Sequence, residues 1–224
     1  MGTIKATYLD HMGNDLSVVN AARVSFNKTS KMVCTDHIKG NYELSKGDTR
    51  LINYLAKHEH TSPFGHAFAS FHIKAPIFVA RQLVKHSYLR WNEVSRRYVD
   101  DEPEFYKPDT WRGRSADKKQ GSEGEVKLGT LDTAIVLDSP YEALCAYKAL
   151  LGAGVAPEQA RMVLPQSTMS EWYWSGSLDA FARMCNLRLK TDTQRETQLV
   201  AQQIDQIMLG LFPVSWEALV YGAE

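Results

Sequence analysis

Residues 81 to 98, Arg-Gln-Leu-Val-Lys-His-Ser-Tyr-Leu-Arg-Trp-Asn-Glu-Val-Ser-Arg-Arg-Tyr, hold six Arg, Lys or His residues and a single acid, Glu93. Cations interleaved with hydroxyls suit an anion that must be held in one orientation, because an Arg fork grips phosphate bidentately and Ser hydroxyls add directional hydrogen bonds. A solvated basic face is the competing account of any charge run. Leu83, Val84, Trp91, Asn92 and Tyr98 lie among the charges, and they argue for a half-buried setting in which unpaired cations would be costly. A second cluster places His58, His60, His66 and His72 within fifteen residues. Its spacing suits a metal poorly: there is no HExxH, no helical i, i+4 pair with a carboxylate base, and Pro63 interrupts the run, so no metal site is expected.

The elements that must position these groups follow from period and punctuation. Thr3 to Leu9 reads as a short strand, and Gly13-Asn14-Asp15 offers a turn and N-cap for a helix carrying Leu16, Val19 and Ala22. Residues 27 to 47 show no clear period and read as a surface loop. Asp48 is a candidate cap for a helix with Leu51, Ile52 and Leu55 inward, running to about His58. Residues 67 to 73 alternate as a strand does, and Pro76 then takes the first position of a helix whose Arg81 and Lys85 share a face. The cationic stretch leaves that helix near Ser87. Residues 100 to 134, with Asp101-Glu102-Pro103, Lys107-Pro108-Asp109 and Gly121-Ser122-Glu123-Gly124, read as loop, of a length that suits a lid.

Ser139-Pro140-Tyr141-Glu142 reads as a capping box opening a helix to about Gly152. Pro157 opens a short helix that carries Arg161 and ends by Pro165. Ser177 caps a third, with Leu178, Phe181 and Cys185 inward, and Thr193-Gln194-Arg195-Glu196 is a further capping box before a long helix with Val200, Ile204, Ile207, Met208 and Leu211 on one stripe. No phosphate loop of the GxGxxG or GxxxxGK[ST] type is present. The expected fold is α+β: a single domain over residues 1–224, with a small mixed or antiparallel sheet flanked by helices and a helical C-terminal half.

Composition narrows the function classes. Lys plus Arg and Asp plus Glu are 26 each, so no global field draws the protein to nucleic acid or to a membrane surface, and neither partner is expected. Cys34, Cys145 and Cys185 lack CxxC or Cys/His metal spacing, which reads as reduced, mostly structural thiols in a cytoplasm, the host's if the source is viral. No apolar run reaches the ~20 residues needed to span a bilayer.

Arg81-Gln82, His86, Asn92-Glu93, Ser95 and Arg97-Tyr98 together resemble the signature of the flavin-dependent thymidylate synthases, whose hallmark is Arg-His-Arg, seven residues, then Ser. This chain has Lys85-His86-Ser87, seven residues, then Ser95. Further landmarks in family order are Met12 through Ser17, Ala21 through Phe26, His58 through His66, Lys74 through Gln82, Ala160 through Pro165 and Asn186-Leu187-Arg188, with residues 27–47 and 107–135 the weak parts. The resemblance implies reductive methylation of dUMP to dTMP, with methylenetetrahydrofolate as carbon donor, FAD as cofactor and NADPH as reductant. It places dUMP on Gln82, Lys85, Glu93, Ser95, Arg97, Arg161 and Arg188, with Ser95, Arg97 and Arg161 on the phosphate. Arg188 takes the catalytic role, stabilising negative charge on the pyrimidine as C5 becomes nucleophilic. FAD falls on Ser25, Ser62, Lys85, His86, Ser87, Glu93, Ser177 and Arg183, and His60 lies in the folate or nicotinamide vicinity. A homotetramer with active sites shared between subunits is implied as well.

The departures from the family pattern cluster. Lys85 and Ser87 replace the two arginines flanking His86; Ser177, Asp179 and Arg183 stand where Asn, Arg and Asn are usual; Asp192 stands where a His is common. Nearly all of these positions face the flavin rather than the nucleotide in the family. A relative that hydroxymethylates a pyrimidine deoxynucleotide, or a non-catalytic nucleotide binder, are the alternatives those changes allow.

Overall fold

The computed structural model describes residues 2–36, 40–99, 101–116 and 122–222. Along it run β1 (Lys5–Met12), α1 (Asp15–Arg23), β2 (Val33–Asp36), β3 (Asn41–Glu43), α2 (Lys46–Lys57), β4 (Phe68–Pro76), α3 (Ile77–Leu83) and β5 (Leu89–Glu93). They are followed by β6 (Arg112–Arg114), β7 (Ser122–Glu125), α4 (Thr130–Gly152), α5 (Pro157–Ala160), β8 (Met169–Ser177), α6 (Leu178–Arg188), α7 (Arg195–Leu211) and α8 (Pro213–Trp216). Short 3-10 turns at Val24–Phe26, Ser62–His66 and Arg161–Val163 complete the joins.

The main sheet has the order β1-β4-β8-β5, and every pairing in it is antiparallel. In β4 the alternation puts Ala69, Phe71, Ile73 and Ala75 on the buried face. In β8 it buries Trp172 and Trp174, and Trp91 of β5 stacks on Trp172 with ring centroids 4.3 Å apart. α6 and α7 cover that face: Phe181 meets Phe71 edge-on at 5.1 Å and Trp174 at 5.4 Å, and Val200, Ile204 and Met208 form the buried stripe of α7. Large aromatic contacts of this kind contribute about 0.5–1.5 kcal/mol each beyond the area they bury. Gly176 is required where β5 crosses β8, since a Cβ there would lie 2.9 Å from the Tyr88 carbonyl oxygen and 2.5 Å from Leu89 Cδ2. The two halves of the chain are also tied by polar bonds. Asp15, only 6% exposed, accepts from the backbone N–H groups of Val214 at 3.0 Å and Ser215 at 2.9 Å. Gln203 Oε1 accepts from Ala6 N–H at 2.9 Å.

The α+β class and the antiparallel sheet agree with the expectation, and Asn14 caps α1 through a capping box with Ser17. Several elements differ. The stretch 27–47, expected as loop, folds into the β2–β3 hairpin, with residues 37–39 outside the described part. α2 starts two residues before Asp48: Ser45 is its N-cap, accepting from Asp48 N–H, and Asp48 is bonded in turn by Ser30 and Arg23. The β6–β7 hairpin lies within the expected 100–134 loop, whose Gly121 falls outside the described residues. α4 begins at Thr130 rather than Ser139, with Pro140 inside it. Proline removes one backbone donor, but Asp132 in the first turn and a helix-forming run after it hold the helix on both sides. Thr193 and Glu196 form no capping box; Thr193 donates to the Leu187 carbonyl and Glu196 pairs with Arg112. Pro76 ends β4 and serves as N-cap, one position before its expected place. Beyond the β6–β7 hairpin the C-terminal half is helical apart from β8, which pairs with both β4 and β5. Among the described residues no helix is long and apolar enough to cross a membrane.

Candidate active site

α3 is only seven residues long, so its last carbonyls find no partners within the helix and remain open to a side-chain donor. Arg188, in the last turn of α6, supplies one: its Nη2 donates to the Gln82 carbonyl at 3.1 Å and its Nε to His86 Nε2 at 3.0 Å. Since that ring nitrogen accepts, His86 is neutral, with its proton on Nδ1. Burial, then the neighbouring Arg188 charge, pushes the His86 pKa down to about 4. Burial also lowers the Arg188 pKa, yet a guanidinium stays charged at any working pH. The Gln82 carboxamide is itself held: its Nε2 donates to Gln194 Oε1 at 2.5 Å and its Oε1 accepts from Thr197 Oγ1 at 3.2 Å. The result is a half-buried cation with two of its donors committed and the others open to a ligand.

A second group forms at the far end of β5. Glu93 accepts from Trp91 Nε1 at 3.1 Å and from Ser170 Oγ at 2.6 Å, so both carboxylate oxygens are oriented. It shares a cavity of about 280 Å³ with Arg96, Arg161, Ser170 and Glu171. Arg161 leans on its own helix, donating to the Glu158 carbonyl at 3.2 Å, and Arg96 donates to the Asp101 carbonyl at 2.9 Å. Arg97 lies outside this cavity lining; it is exposed, donates to Ser95 Oγ at 3.1 Å and sits 5.1 Å above the Tyr98 ring. His86 precedes β5 by three residues and Glu93 closes it, and at ~3.4 Å per residue the strand carries Glu93 about 14 Å along from Leu89.

Of the predicted flavin residues, Ser177 and Arg183 lie at the start of α6 and along it. Ser177 Oγ donates to Asp179 Oδ1 at 2.6 Å instead of capping α6, and Arg183 donates to Asp179 Oδ2 at 2.6 Å. The Arg183 guanidinium also lies 5.4 Å from the Tyr88 ring centroid, and Tyr88 is 80% exposed with φ +65°. Lys85 and Ser87 are exposed on the same connection. Ser62 opens a 3-10 turn packed against α6, His60 is exposed just before it, and Ser25 is exposed on the 3-10 turn after α1.

The structure thus brings Gln82, His86 and Arg188 together, and Glu93 and Arg161 together, and leaves Arg97, Ser25 and His60 apart from either group. Arg96, Ser170, Tyr88, Gln194 and Thr197 join these groups without having been singled out. Arg96 carries a signal, being the middle of a Ser-Arg-Arg triplet; Ser170 and Thr197 carry none, because only tertiary packing places their hydroxyls.

A family model described as "Thymidylate synthase complementing protein" matches residues 7–214. The flavin-dependent thymidylate synthase of Thermus thermophilus is 40% identical over 210 residues, spanning 94% of this chain and 73% of that protein. That of Thermosipho melanesiensis is 36% identical over 214 residues, spanning 95% of this chain and 88% of the relative. A crystal structure of a UMP/dUMP methylase, PolB from Streptomyces cacaoi bound with 5-Br dUMP, superposes with a TM-score of 0.78 at 32% identity, covering 98% of this chain and 95% of that one. The same methylase bound with 5-Br UMP gives 0.77 at 31% identity, covering 99% and 96%.

Proposed function

The chain belongs to the thymidylate synthase complementing family, that of the flavin-dependent thymidylate synthases, and from that premise we propose that it methylates dUMP to dTMP. Methylenetetrahydrofolate supplies the carbon and NADPH the reducing equivalents. The observation that carries the reading is the Arg188 guanidinium, fixed by neutral His86 and the Gln82 carbonyl and still offering donors. A preorganised cation of this kind stabilises negative charge on a uracil ring without having to reorganise as the charge develops. Cys185 is fully buried, out of reach of a substrate ring, and burial raises its pKa.

We assign the phosphate to Arg161, with Arg96 a further cation in the same cavity, and to Ser95 and Arg97, which are bonded to each other outside that lining. Glu93, oriented by Trp91 and Ser170, fixes the nucleotide. We propose that one nucleotide is gripped by the Arg161 group of one subunit and the Arg188 group of another, in a homotetramer with shared sites. We take residues 1–224 as one domain; its main core draws on β1, β4, β8 and helices from both halves, and a smaller cluster of Leu144, Tyr147 and Ala160 joins α4 to α5. We place the protein in the cytoplasm.

The donor chemistry near α6 fits FAD. Arg183, Lys85, Ser87 and Ser62 offer cations and hydroxyls suited to a pyrophosphate, and the exposed Tyr88 ring offers a face for a planar heterocycle. When bound, FAD supplies redox chemistry; this chain's residues hold and orient it, with His86, Glu93 and Ser177 completing the set and His60 towards the folate or nicotinamide side. Incubation with dUMP, methylenetetrahydrofolate, NADPH and FAD, followed by mass spectrometry of the nucleotide, tests the reading. Product bearing a methyl group is expected; a hydroxymethyl product, or unchanged dUMP, would overturn it.

A further inference from the structure

Arg188 bonds to a backbone carbonyl in the last turn of a seven-residue helix, a place where helices fray. The cation can be no better positioned than the residue that carries that carbonyl. Gln82 is pinned from outside its helix by the first turn of α7, where Thr197 Oγ1 donates to Gln82 Oε1 at 3.2 Å and Gln194 Oε1 accepts from Gln82 Nε2. Thr197 is fully buried, and its hydroxyl is spent across the gap between α7 and α3. We propose that Thr197 is a positioning residue: with Gln194, it clasps the Gln82 carboxamide and so fixes the carbonyl on which the Arg188 guanidinium is set. The inference rests on the thymidylate synthase reading, and it adds to that reading a residue on another helix that touches neither nucleotide nor flavin.

Four variants test it, Thr197→Val, Thr197→Ser, Gln82→Ala and the Gln82→Ala/Thr197→Val double, with turnover, dUMP binding by calorimetry, flavin content and melting temperature measured on each. Thr197→Val keeps the shape and removes the hydroxyl; Thr197→Ser keeps the hydroxyl and removes the methyl group. One neutral hydrogen bond corresponds to roughly 3- to 10-fold, so the Val variant should lose about that much in kcat/KM for dUMP while its melting temperature and flavin content stay near the parent's. The Ser variant should recover most of the loss. In a Gln82→Ala background, Thr197→Val should have no further effect on kcat/KM, because its route to Arg188 is gone. A Val variant as active as the parent, a Ser variant as impaired as Val, or an undiminished effect of Val in the Gln82→Ala background would each overturn the proposal. A parent that neither binds dUMP nor forms dTMP would instead overturn the proposed function, and this inference with it.

Discussion

Arg188 and His86 are an example of burial making two basic groups behave differently: the guanidinium keeps its charge and the imidazole gives its charge up. Replacing Arg188 by Ala should leave folding and flavin binding intact and lower turnover by about 10²- to 10³-fold, the usual loss for one preorganised donor; kcat together with flavin content checks it. His86 makes stability depend on pH. Its folded pKa of about 4 lies below the ordinary value of 6.5, so between those values the unfolded chain binds more protons than the folded one. Stability from this group is therefore full above about pH 6.5 and is lost as pH falls towards 4. Urea unfolding at pH 7 and pH 5 should show a steeper loss for the parent than for His86→Gln. Gln82, His86 and Arg188 were legible by resemblance, whereas the seven residues from His86 to Glu93 hid how far apart an extended strand would carry the two groups.

At the scale of elements, β8 was the strand hardest to read. Trp172-Tyr173-Trp174 sets three aromatics side by side and masks the alternation, and Gly176 lowers strand propensity just where the structure needs it. Gly176→Ala would force β5 away from β8, at about 1–3 kcal/mol for an overpacked site. At ~2–4 °C per kcal/mol the melting temperature should drop by several degrees. Gly210→Ala, where a Cβ meets nothing within 4 Å in the interior of α7, should instead raise it slightly. α4 was misread because Ser-Pro-x-Glu is as good a start signal as any, and only the preceding nine residues, themselves helical, absorb it. The connection from α3 to β5 carries the flavin departures. Ser87→Arg should tighten FAD by about 10-fold or more, the effect of one charge-assisted hydrogen bond. Arg183→Asn should loosen it, though less, since Asp179 already holds that guanidinium. Flavin fluorescence titration reads both.

For the whole molecule, the division of the predicted site between the two ends of β5 makes a test of assembly. Arg161→Ala and Arg188→Ala should each be nearly inactive, yet co-expressed subunits should regain activity, because about a quarter of the sites in randomly mixed oligomers draw both arginines from intact sources. Sites confined to one subunit would regain none, since every chain then carries one lesion. The bonds from Asp15 to Val214 and Ser215, and from Gln203 to Ala6, have a consequence of another kind. On the ribosome, the first helix emerges nearly two hundred residues before the backbone donors that satisfy its buried carboxylate. Native closure must wait until Val214 and Ser215 have been made, and until then the β1–β4 strand pair keeps an unsheltered face, the state in which chaperones act.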